Sequence, residues 1–153
     1  MDNKEFYFEL LTRFFTDEIP FNKFLGLELE HLEAGRAVFA IDKRPEFIGS
    51  PFHKALHGGV ISTLIDVTGG ITAFSVLNWP QETAVNTVDL RIDYVRRGTA
   101  SRFSCEGTII RKGNRIVVTR CDLRDEEGQI IALGTATYNI FTNSQMLEDY
   151  NEK

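Results

Sequence analysis

The sequence predicts an α+β domain in which one antiparallel sheet buries a single long helix. Three observations lead there. The only long helical pattern in the middle of the chain runs from Leu56 to Leu77, where Val60, Leu64, Val67, Ile71 and Phe74 recur at three- and four-residue steps. From Thr87 onward the pattern switches to period two. Turn signals at Gly113-Asn114 and Glu126-Glu127-Gly128 then cut the second half into successive strands. A length of 153 residues suits one core, and 42% hydrophobic and 25% charged residues place the chain among ordinary globular proteins.

Element by element, Phe6, Tyr7, Leu10, Leu11, Phe14 and Phe15 recur at helical spacing and predict an N-terminal helix that Pro20 ends. Two short strands follow, Gly26 to His31 and Arg36 to Asp42, separated by Glu33-Ala34-Gly35. Lys43 to Ala55, with Pro45, Gly49 and Pro51, reads as an ordered loop. Asn78-Trp79-Pro80 closes the central helix. In the next strand Val88, Leu90, Ile92 and Tyr94 are expected on one face, with Thr87, Asp89, Arg91 and Asp93 on the other. Strands Arg102 to Arg111, Arg115 to Arg124 and Gln129 to Phe141 complete the sheet. Residues 1–141 are thus expected to form one domain, with a core over about 20–141, and residues 142–153 a polar tail. An open sheet with one thin core leaves an edge that favours pairing between copies.

Composition excludes several function classes. A net charge of −5, from 17 Lys+Arg and 22 Asp+Glu, argues against a nucleic-acid binder. Met1-Asp2-Asn3-Lys4-Glu5 lacks the basic and apolar segments of a secretion signal, and Asp66 with several Ser, Thr and Gly interrupts the richest apolar stretch, Val60 to Leu77. A reduced, cytoplasmic protein with no membrane association is the expectation. If the turn at Lys112-Gly113-Asn114-Arg115 pairs its outer residues, Cys105 faces Asp122 and Cys121 projects from the other side of the sheet, so no disulfide is expected. Three histidines and two cysteines show no metal-ligand spacing.

The informative segment is His57-Gly58-Gly59 followed by Asp66. Two glycines opening a helix let a ligand approach bare N–H groups, which have no intrahelical partner and sit at the positive end of the macrodipole. The Gly58 amide is therefore a candidate oxyanion donor. Asp66 interrupts an apolar helix, and its neighbours one turn away, Ser62, Thr63, Gly69 and Gly70, are all small. Adjacent Gly69-Gly70 costs a helix about 1 kcal/mol per glycine relative to alanine, which implies close packing or a ligand. Gly58 and Asp66 lie eight residues apart, roughly 12 Å along one helix, too far to serve one carbonyl carbon together. If both serve one reaction centre, two copies of the helix run antiparallel and the site requires a dimer.

His57-Gly58-Gly59…Asp66 resembles the signature of hotdog-fold acyl-CoA thioesterases, in the branch that includes the phenylacetyl-CoA thioesterases. Pro20-Phe21-Asn22-Lys23-Phe24-Leu25-Gly26-Leu27 is similar to the lead into their first strand, and the segment from Thr87 to Arg96 to the strand after their central helix. The resemblance spans roughly Pro20 to Phe141. It implies a hotdog fold, a sheet wrapped around the central helix, and hydrolysis of an acyl-CoA thioester by a homodimer or dimer of dimers. It makes Asp66 the nucleophile or the general base that activates water. Gly58 becomes the carbonyl-polarising amide, with His57 beside it ordering the loop or adding a hydrogen bond, and Thr87 a hydroxyl that helps place the water in some members. Ser50 stands where many relatives carry Asn; serine donates one hydrogen bond with a shorter reach. Gly59, Thr63 and Val88 are expected beside the substrate.

Between Arg91 and Arg124 nine basic residues face three acidic ones, a local excess that suits the phosphates of coenzyme A. Arg96, Arg97 and Lys112 are the candidates, against the alternative that they are solvated strand edges. No cofactor beyond the substrate's own CoA is needed. Two competing readings keep the fold: an acyl-CoA-binding regulatory domain without chemistry, and a hydratase or dehydratase using His53 or His57 with a carboxylate.

Overall fold

The computed structural model describes residues 3–142; Thr142, the first residue of the predicted 142–153 tail, ends the last strand, and the rest of that tail lies outside the described residues. Helix α1 (Asn3–Arg13) passes into a π-helical turn, Phe14–Glu18, and helix α2 (Pro20–Leu25) follows. Pro20 therefore opens a second helix rather than merely ending the first: its fixed φ and missing N–H are tolerated in a first turn. Gly26, at φ +69°, terminates α2, which delays the first strand to Glu28. Strands β1 (Glu28–Glu33) and β2 (Arg36–Asp42) form a hairpin. The expected loop 43–55 contains a 3-10 turn at Pro45–Phe47 and a two-stranded ribbon of β3 (Ile48–Ser50) and β4 (Ala55–Leu56). Then come α3 (Gly58–Phe74), β5 (Glu82–Tyr94), β6 (Arg102–Lys112), β7 (Ile116–Asp125) and β8 (Ile130–Thr142).

The six long strands pair antiparallel in the order β1-β2-β6-β7-β8-β5, and α3 lies across one face of that sheet. This is the hotdog arrangement. Leu64, Ile65 and Ile71 of α3 are fully buried against Phe39, Phe103, Leu123 and Ile131 from the strands. The helix sits close because three positions, Gly69, Gly107 and Gly134, lack a side chain; a Cβ on Gly107 would run into Thr72 and Thr68 of α3. A Cβ on Gly69 would run into the Tyr138 and Thr119 hydroxyls, and one on Gly134 would run into Ile65. Close packing thus accounts for Gly69, whereas a Cβ on Gly70 would meet only Phe15 and Tyr138, at an ordinary 3.9 Å. At the C-terminal end of α3, α1 packs through Tyr7, which stacks on Trp79 with ring centroids 5.5 Å apart and donates a hydrogen bond to the Phe74 carbonyl (2.9 Å).

The β6–β7 register departs from the expected one. A bulge at Ile109/Arg111 sets Cys105 opposite Leu123 and Cys121 opposite Gly107. A one-residue slip exchanges the faces of a strand, so both cysteines lie buried on the same face, free and unbridged. The Cys121 thiol donates to the Ile65 carbonyl (3.5 Å), and its hydrogen bond with Cys105, together with burial, pushes it well above the ordinary thiol range.

Candidate active site

The N-terminus of α3 is clamped by the short ribbon beneath it. The His57 N–H donates to the Phe47 carbonyl (2.7 Å), and Gly49 passes so close that a Cβ there would lie 2.7 Å from His57 Cα. His57 is the N-cap, with its Nδ1 accepting the Gly59 N–H at 2.8 Å. With the Gly59 amide occupied, Gly58 contributes the foremost amide of the helix, a position with no intrahelical acceptor. Tyr94, from the end of β5, closes this corner: its hydroxyl lies 2.6 Å from Ser62 Oγ and donates to the Gly58 carbonyl at 3.3 Å.

Asp66 sits two turns further along α3, half-buried, and Thr87 Oγ1 donates to its Oδ1 at 3.0 Å. Strict alternation would have turned Thr87 away from Leu90. A bulge corrects that expectation: Thr87 pairs with Tyr138 and Asp89 with Thr137, leaving Val88 as the extra residue. Parity therefore changes at Val88, so that Thr87 joins Leu90, Ile92 and Tyr94 on the helix-facing side while Val88 is 62% exposed. Tyr138, opposite Thr87, donates to the Asp66 carbonyl (3.1 Å) and supports the helix there. Burial, reinforced by the nearby Asp66 carboxylate, pushes the Tyr138 phenol far above its ordinary range, so it stays a neutral donor.

The other candidates divide. Thr63 and Ser62 turn their hydroxyls onto the Gly59 and Gly58 carbonyls, each at 2.9 Å, and Ser50 ends β3 opposite Ala55. Arg96 and Arg97 are exposed just beyond Tyr94, at the N-terminal end of α3. Lys112 lies at the other end, where its ammonium is 2.7 Å from Glu82, which in turn accepts the Asn78 N–H just past the helix. Roughly 24 Å of helix separates those two ends, so the three cations do not form one patch. Of the nine basic residues between 91 and 124, Arg91, Arg102, Lys112, Arg120 and Arg124 are ion-paired. Sequence reasoning missed Tyr94 and Tyr138 as site residues; Tyr94's place in the Leu90-Ile92-Tyr94 series was the available signal.

Within one chain, Gly58 and Asp66 remain separated by the eight-residue span of the helix. The foremost amide of the helix and a carboxylate two turns on thus lie on one helix wrapped by a hotdog sheet. The thioesterase superfamily profile matches residues 53–132, and the chain belongs to that superfamily. It is a thioester hydrolase. It is 35% identical over 143 residues to the medium/long-chain acyl-CoA thioesterase YigI of Salmonella typhimurium and of Escherichia coli, covering 86% of this chain and 92% of theirs. A solved structure from Shewanella oneidensis, related to the thioesterase superfamily, superposes with a TM-score of 0.85 at 35% identity, covering 90% of this chain and 97% of that one. A thioesterase from Haemophilus influenzae shares the fold, with a TM-score of 0.77 at 21% identity over 88% of this chain and 90% of its own.

Proposed function

We propose that this protein hydrolyses medium- and long-chain acyl-CoA thioesters to the free acid and coenzyme A, as a homodimer or dimer of dimers in the cytoplasm. The observation that carries the reading is the Asp66 carboxylate, half-buried beside small residues and held by Thr87, in a chain similar over most of its length to acyl-CoA thioesterases. Asp66 acts as the nucleophile or as the base that takes a proton from water. The Gly58 amide of a second copy polarises the thioester carbonyl, since the amide of the same chain lies roughly 12 Å away along α3. Water adds its hydroxyl to the acyl carbon, the carbon–sulfur bond breaks, and the remaining proton leaves on the thiol. His57 keeps the helix entrance in shape as its cap. Each chain supplies one hotdog domain to the shared site, and no cofactor beyond the CoA of the substrate takes part. No described helix is long and apolar enough to cross a membrane.

Replacing Asp66 by Asn tests the assignment in a thiol-release assay on decanoyl-CoA. A loss of about 10²–10⁴ in kcat with an unchanged melting temperature is expected for a positioned acid–base group. Undiminished turnover removes Asp66 from the chemistry. Binding of acyl-CoA with no thiol release by the unaltered protein would favour a regulatory acyl-CoA-binding domain instead.

A further inference from the structure

Between Lys43 and Ile65 the chain carries three Lys and Arg residues, Lys43, Arg44 and Lys54, and one acid, the exposed Glu46. The fold brings all three cations to one groove of about 640 Å³, walled otherwise by Pro45, Ile48 and Pro51. Neutral groups hold two of them. Lys43 Nζ donates to the Thr99 carbonyl and, at 3.4 Å, to the Lys54 carbonyl. Arg44 donates to the Phe24 carbonyl and lies over the Phe47 ring, 4.2 Å from its centroid. Carbonyls and rings orient these charges without neutralising them. Lys54 is the only non-glycine residue of the described chain at positive φ (+49°), a conformation L residues seldom adopt.

This groove adjoins the entrance of α3. Its wall residue Ile48 pairs with Leu56, next to His57. The Leu56 N–H donates to the Gly98 carbonyl (2.8 Å), which draws the loop carrying the exposed Arg96 and Arg97 to the same end of the molecule. Cations without carboxylate partners suit phosphate oxygens, and proline and isoleucine walls suit a flat heterocycle. The volume falls in the range of small-molecule sites, about 300–1,000 Å³.

We propose that the groove of Lys43, Arg44, Pro45, Ile48, Pro51 and Lys54 binds the phosphorylated nucleotide end of coenzyme A. It takes the place of the dispersed set Arg96, Arg97 and Lys112 expected from sequence, with Arg96 and Arg97 at its margin. The inference rests on the acyl-CoA reading above and adds where the nucleotide lies.

The test compares decanoyl-CoA with decanoyl-pantetheine, which carries the same thioester without the nucleotide. In the double variant Lys43→Gln/Lys54→Gln, the ratio of kcat/KM for the CoA substrate to that for the pantetheine substrate should fall about tenfold or more, through KM. The double variant Lys43→Arg/Lys54→Arg should restore it. Should the glutamine variant fail to fold, Lys54→Glu, a change at an exposed position, serves the same comparison. An unaltered ratio overturns the proposal. Calorimetry with free CoA separates it from the functional reading. If the unaltered protein releases no thiol yet binds CoA, and the variants weaken that binding tenfold, the nucleotide site stands and the hydrolase assignment falls. If it does not bind CoA at all, the nucleotide site falls.

Discussion

Thr87 holds Asp66 through one hydrogen bond of 3.0 Å, donated to a carboxylate oxygen that the proposed mechanism needs in a fixed direction to act on a thioester or a water. Thr87→Val keeps the shape and removes the donor. Charge-assisted hydrogen bonds contribute about 1.5–3 kcal/mol, so kcat should fall roughly tenfold or more, with KM little changed. Thr87→Ser should recover most of the loss, which a purely structural role for the side chain would not produce. Steady-state kinetics of the three proteins on one acyl-CoA decide between the roles. Asp66 and Gly58 stand out as candidates in the sequence because each breaks a local rule, a charge in an apolar stripe and a glycine pair at a helix start. Tyr94 and Tyr138 obey the alternation of their strands, and nothing in their residue type separates a site tyrosine from a core one.

At the level of elements, the long helix and the four-strand meander were legible because their periodicities extend over many residues. What misled was parity. One extra residue at Val88 reverses which face Thr87 occupies, and the bulge at Ile109/Arg111 does the same for Cys121 relative to Cys105. A bulge leaves no composition signal, so sequence alternation alone misplaces every residue on one side of it. The Glu82–Lys112 pair was also invisible, because it joins β5 to β6 across β7 and β8 at the far end of α3. Burial pushes the Glu82 carboxyl up, but the Lys112 ammonium and the Asn78 amide outweigh it and hold the group below the ordinary carboxylate range. A depressed folded-state value contributes stability above the unfolded value, about 4.3, that is lost as pH falls through the folded one. Glu82→Gln should therefore destabilise the protein by about 1–3 kcal/mol at pH 7, and the gap between the two proteins should close below about pH 4 in urea melts. A constant gap across that range would assign the effect to packing.

For the whole molecule, the proposed site takes its amide from one chain and its carboxylate from another. Two inactive variants test this division. Gly58 is the first helical residue after the His57 cap, where proline fits, and His57 at ψ 136° already has the extended backbone a residue before proline adopts. Gly58→Pro thus removes the proposed oxyanion amide and keeps the helix; Asp66→Asn removes the carboxylate. Each alone should be inactive. If the two groups meet across a dimer, refolding an equal mixture should restore about a quarter of normal activity, because half the dimers are mixed and each carries one intact site of two. No recovery in the mixture, with dimers present by sedimentation, would mean each chain works alone.

β5 ends the sheet order with no strand beyond it among the described residues, and the interruption at Val88 falls in the middle of that bare margin. A regular strand from an unrelated protein meets a break in the ladder there and cannot zip along the full length. The same irregularity that turns a hydroxyl onto a carboxylate on the inside thereby makes the outer rim of the sheet a poor template for chance aggregation.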